Sequence, residues 1–141
     1  MDTVTKGRDF EEKVYQKLKE IHKCTFNKYS KIPIGNPPKL HKFDLVSEDK
    51  SIIVECKDNN WSKTDEVPSG KIATMLKEIL HFNKGPKDTK NILVLRKYYS
   101  EKRKKTLGDY FVSKYKYLLE GITVMELDIE NMKLEEIFPN D

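Results

Sequence analysis

Two cysteines, Cys24 and Cys56, are all the thiols the chain has, and neither belongs to a CxxC-type cluster. A structural zinc site or a disulfide framework therefore has no support in the sequence. Long apolar runs are missing as well, since none approaches the roughly 18 residues of a membrane span. The lysine-rich, acid-containing start lacks the pattern of a signal peptide, so a cytoplasmic protein with no membrane attachment is expected. There is no internal repeat and no low-complexity segment. Tryptophan and glutamine occur once each, as Trp61 and Gln16.

What remains is a chain of 141 residues, 35% charged and 37% hydrophobic, which suits a single globular domain over residues 1–141. The net charge is only +4, yet the charge is unevenly spread. The end from Glu126 onward is acidic, while Arg96 to Lys105 is strongly basic. Such asymmetry points to a polyanionic partner met by one surface.

The most informative stretch is Phe43 to Lys57. Two runs rich in apolar and β-branched residues flank the polar segment Glu48 to Ser51, which predicts a β-hairpin. If that segment is the loop, Ser47 pairs with Ile52, Leu45 with Val54 and Phe43 with Cys56, giving one apolar face. The other face collects Val46 with Ile53, Asp44 with Glu55 and Lys42 with Lys57. Two carboxylates directly opposed repel each other, so a cation is expected between Asp44 and Glu55. A divalent metal fits, because Mg²⁺ is held by one or two carboxylates plus water and phosphate oxygens. Lys57 projects from the same face, where an ammonium orients a water or offsets charge on a phosphate. The bland reading stands beside it: an exposed sheet face on which Lys42 and Lys57 each neutralise a carboxylate.

In chain order, Met1 to Lys6 reads as a disordered lead. Gly7 to Lys23 carries Phe10, Val14, Leu18 and Ile21 at helical spacing, with Glu11 at the edge of the apolar stripe and Glu12 toward solvent. Cys24 to Ile34 suits a strand closed by Gly35-Asn36-Pro37-Pro38. His41 shares the parity of Phe43, away from the carboxylates, and His22 and His81 show no partner pattern, so all three histidines read as structural or surface residues. Asp58 to Gly70 is a polar connection in which Trp61 either stacks on a base or packs over the sheet. Ile72, Met75, Leu76, Ile79 and Phe82 predict a second helix ended by Gly85-Pro86, with Ser69 and Lys71 near its start. Ile92 to Leu95 reads as a strand buried on both faces. The basic stretch after it, with Arg96, Lys102, Arg103, Lys104 and Lys105, suits phosphate contacts or, equally, a solvated loop. Thr106 with Asp109 forms a capping box for a third helix running to Gly121, Ile122 to Leu127 is a late strand, and Met132 to Phe138 a terminal strand or turn.

Gly7-Arg8-Asp9-Phe10-Glu11, Phe43-Asp44-Leu45-Val46 and Val54-Glu55-Cys56-Lys57, followed by the Asp58 to Trp61 loop, resemble the PD-(D/E)xK nucleases, and among them the Mrr-like and Holliday-junction-resolvase-like groups. The resemblance extends over most of the chain through the order of elements. It implies an α/β restriction-endonuclease-like core, a mixed central β-sheet flanked by helices in the order αβββαβαβ. It also implies Mg²⁺-dependent hydrolysis of DNA phosphodiesters, with Mn²⁺ as a substitute ion and no small organic cofactor. Asp44 and Glu55 become metal ligands, joined by Glu11 and the backbone carbonyl of Cys56, and Lys57 the catalytic lysine. Lys42, Trp61, Lys71, Arg96, Lys102, Arg103, Lys104 and Lys105 become candidate nucleic-acid contacts, and a homodimer is expected for cutting two strands. Two departures stand out: Phe43 replaces the nominal proline, and the glutamine that many relatives carry on the second helix is missing. A noncatalytic DNA-binding or assembly subunit of the same fold, and an interaction domain whose charges form only salt bridges, are the competing readings.

Overall fold

The computed structural model describes residues 3–139 as an α/β structure in which helices flank a mixed central sheet. Helix α1 (Thr3–His22) leads into strands β1 (Phe26–Ile34), β2 (Lys39–Ser47) and β3 (Ile52–Lys57). Helix α2 (Ser69–Asn83) connects to β4 (Lys90–Arg96); a two-residue ribbon, β5 (Tyr99–Ser100) with β6 (Lys105–Thr106), precedes α3 (Leu107–Tyr115). Strands β7 (Ile122–Asp128) and β8 (Lys133–Phe138) close the chain. The expected disordered lead is corrected over residues 3–6, which extend α1 by a turn, while Met1 and Asp2 lie outside the described residues. The small β5/β6 ribbon was not expected, because two-residue strands leave no periodicity to read.

Across the six-stranded sheet the order is β1-β2-β3-β4-β7-β8. Strand β4 runs parallel to β3 and to β7, and the other neighbours are antiparallel. Each parallel pair is bridged by a helix, as parallel strands require. Alternation in β4 divides the core: Ile92 and Val94 join Phe10, Val14 and Leu18 of α1, while Leu93 and Leu95 join Ile72, Met75 and Ile79 of α2 and Phe111 of α3. All four residues from Ile92 to Leu95 are buried, so the expected two-sided burial is observed.

The hairpin register agrees with the sequence reading at Leu45–Val54 and Val46–Ile53 and then stops. Phe43 does not extend the Leu45–Val54 face. It lies on the α2 side with Val46 and Ile53, its ring stacked 5.8 Å from that of Phe82. The cause is a kink at Asp44. Its neighbour across the sheet, Tyr29 of β1, has φ of 56°, and the Tyr29–Asp44 pair is missing from an otherwise continuous ladder. An aromatic residue in the left-handed region is strained, and here the departure bends the ribbon beside the carboxylates. Lys42, expected opposite Lys57, instead pairs across the ladder with Lys31 and is exposed.

Candidate functional site

Where β2 and β3 part company, side chains take over the ladder bonds. The Cys56 N–H donates to Asp44 Oδ2 at 2.8 Å, and the Asp44 N–H donates to Glu55 Oε1 at 3.3 Å. Each acid is thus pinned by the backbone of the opposite strand. Glu55 is 3% exposed, an exceptional degree of burial for an acid. Glu11 reaches the same place from α1, held by the Tyr29 hydroxyl at 2.6 Å and close enough to Asp44 for their charges to repel. The kink therefore has a use: it brings Tyr29 over Glu11. Glu12 points elsewhere, to Lys28 and Gln16, as its outward position on the helix predicts.

Helix α2 adds a group that sequence reasoning missed. Glu78 is buried, with Oε2 3.6 Å from Lys57 Nζ and Oε1 2.9 Å from His81 Nδ1. The resemblance implies a glutamine on the second helix; the α2 side chain that reaches Lys57 here is an acid. Expectations for His41 and His81 are corrected too. His41 travels with Phe43 to the α2 side because of the kink, its Nε2 lies 3.8 Å from Glu55 Oε1, and its ring sits 3.9 Å from that of His81. The signal was present in the sequence as Glu78 and His81 at i,i+3, which share a helix face.

Among the described residues, Glu11, Asp44, Glu55 and Glu78 follow one another across this site, with Lys57 beside Glu78 and with Arg8 and Lys28 near Glu11. Burial, the hydrogen bond to Glu78 and the charge of Asp44 push Glu55 up to about 12, so at neutral pH it holds a proton. Desolvation raises Glu78 as well, but the hydrogen bond from Glu55, Lys57 and His81 together bring it below the usual glutamate value. The pair shares one proton, with Glu55 keeping it. Asp44 is raised by desolvation against the pull of the Cys56 N–H, and Glu11 by desolvation against the pull of Tyr29. Buried negative charge of this density calls for a cation, and a carboxylate donor set fits a hard ion such as Mg²⁺.

Beside the acids, at Cys56 and Lys57, lies a cleft of about 300 Å³ lined also by Lys6, Gly7, Asp58, Asn59 and Lys71. Lys71 is exposed at the start of α2. Asp58 lines the cleft but is tied down by its own partners: it accepts a bond from the Tyr98 hydroxyl and pairs with Arg96 at 3.4 Å and with Lys6 at 3.9 Å. Arg96 is accordingly engaged inside the structure. Of the two readings of Trp61, packing is the one that its surroundings match. The residue is 5% exposed, gives its indole N–H to the Tyr98 carbonyl at 3.1 Å, and has Arg103 over its ring at 5.2 Å. Glu66 draws in Arg103 at 3.2 Å and Lys102 at 3.5 Å, and Lys104 pairs with Glu101 at 3.8 Å. Much of the basic stretch thus clasps the loop after β3. Among the described residues, Lys42, Lys71 and Lys105 have no ion-pair partner and remain open to a polyanion.

Compared with protein-family models, with curated proteins and with solved structures, the chain finds no match.

Proposed function

We propose that the chain is a metal-dependent deoxyribonuclease of the PD-(D/E)xK type, built on a restriction-endonuclease-like fold. The observation that carries this reading is the interlocked pair of Asp44 and Glu55 at the open end of the hairpin, with Lys57 beside it and more buried acid than the chain's own cations offset. A mixed sheet flanked by helices, the coarse class that this fold requires, supports the reading.

In this reading Asp44 and Glu55 hold Mg²⁺, Glu11 completes the set directly or through water, and the Cys56 carbonyl is a further ligand. The bound ion supplies Lewis acidity to a phosphate oxygen and acidifies a water. Binding an ion there would displace the proton that burial leaves on Glu55. Lys57 gives an N–H to the attacking water and balances charge that develops on the phosphate. Glu78, paired with that ammonium at 3.6 Å, holds it in place. Lys71 and Lys6 line the approach and attract the phosphodiester backbone.

The test is cleavage of plasmid, linear, single-stranded and four-way-junction DNA with Mg²⁺, Mn²⁺ or EDTA. Cutting that needs the metal and falls by about 100-fold or more in Glu55→Ala and Lys57→Ala is the expected result. Folded protein that binds DNA but cuts none of these substrates would reassign the chain to a noncatalytic subunit. Sedimentation of the same samples tests the expected homodimer.

A further inference from the structure

The two histidines on the α2 side of the site belong to no step of the proposed hydrolysis. One nitrogen of His41, one of His81 and a carboxylate oxygen of Glu78 lie within 4.8 Å of one another. Two of these residues, Glu78 and His81, lie one turn apart on α2 and the third, His41, on β2, so two elements already bring the groups together. Nε2 of His41 is buried and has no hydrogen-bond partner, an unusual state for an imidazole. It looks toward Glu55 Oε1, 3.8 Å away, and the rings of the two histidines stand 3.9 Å apart. A buried nitrogen without a donor to meet, next to a second imidazole and a glutamate, has the donor set of a borderline transition ion rather than of Mg²⁺.

We propose that His41, Glu78 and His81 bind one divalent ion of the Zn²⁺ class, at a site that adjoins the Asp44 and Glu55 carboxylates and is linked to them through Glu78. Imidazole ligands select against Mg²⁺, which takes oxygen donors and keeps its waters. Glu78 is the shared wall: it pairs with Lys57 and is hydrogen-bonded to Glu55 in the metal-free protein. An ion on the histidine side competes with Lys57 for that carboxylate. The inference stands on the three ligands alone and survives if the chain cuts no DNA.

The whole chain, stripped with a chelator, is titrated with Co²⁺ and with Zn²⁺ in the presence of millimolar Mg²⁺. Visible d–d absorption from Co²⁺ in a low-coordinate nitrogen site, reversed by one equivalent of Zn²⁺, is expected. His41→Gln and His81→Gln, checked for folding by circular dichroism, should each weaken Zn²⁺ by about 100-fold, while Asp44→Asn should not. Should either histidine variant fail to fold, the imidazole resonances of the wild type decide: Zn²⁺ should move those of His41 and His81 and leave His22 unchanged. No Zn²⁺ or Co²⁺ binding, binding that Mg²⁺ displaces, or binding lost in Asp44→Asn but kept in His41→Gln would overturn the proposal.

Discussion

Glu55 takes up a proton when the chain folds, because burial and its acidic neighbours make the carboxylate too costly. Its folded value, about 12, lies far above the ordinary 4.5, so the stability tied to it is complete below about pH 4.5 and is lost as pH climbs through neutral and beyond. Asp44 and Glu11 are shifted the same way, and Glu126, raised by desolvation to about 7, adds to the loss between 4.5 and 7. In EDTA the melting temperature should therefore fall from pH 5 to pH 8. Glu55→Gln, which copies the protonated form, should flatten that fall and gain about 1–3 kcal/mol at pH 8, read by thermal melts at both values. An unchanged slope in Glu55→Gln would mean that the acid is not protonated in the folded chain. Glu126 also limits what its neighbour tolerates. A Cβ added at Gly108 would overlap the Glu126 carboxylate, so Gly108→Ala should cost about 1–3 kcal/mol in a denaturant titration. The sequence announced Asp44, Glu55 and Lys57 because alternation along a strand is simple to follow. It hid Glu78, His81 and His41, since the first two lie far along the chain on a helix and the third changes face at a kink that no residue type advertises.

Local patterns were most readable in the helices and the inner strands. The capping box of α3 is present as spacing predicts: the Thr106 side chain accepts the Asp109 N–H at 3.0 Å. Thr106→Ala should cost about 0.5–2 kcal/mol, measured by denaturant melts, and Thr106→Ser should restore most of it. In β4 an unbroken apolar run correctly implied burial on both faces. The hairpin was legible as far as its ladder runs and no further, because the bend depends on Tyr29 adopting φ of 56° in a neighbouring strand. That bend also sets the proton affinity of Glu11. In Tyr29→Phe the hydroxyl that lowers the Glu11 value is gone, so carboxyl titration followed by NMR should show Glu11 moving further up. Metal loading is linked to the same protons. Calorimetry in buffers of differing ionisation heat should show Mg²⁺ binding with release of a proton at neutral pH, and affinity that rises with pH.

At the scale of the whole molecule, charge placement mattered more than net charge. Arg96 to Lys105 looked like a surface for a polyanion, yet Asp58, Glu66 and Glu101 hold four of its cations in ion pairs. Three of these pairs, to Asp58 and Glu66, join residues far apart in the chain and cannot be read from a run of lysines. DNA binding should accordingly depend more on Lys71, and Lys71→Ala should lower the salt slope of binding by about 1 while leaving the melting temperature nearly unchanged. Sheet order carries one more consequence. Strand β1 sits at an outer border of the sheet, where a bare row of main-chain donors and acceptors invites another chain to join. Pro33 has no N–H to offer there, Lys28 and Lys31 stand along the strand, and the turn at Tyr29 breaks its straight run. The same contortion that aims a hydroxyl at Glu11 leaves this flank a poor template for another strand to extend.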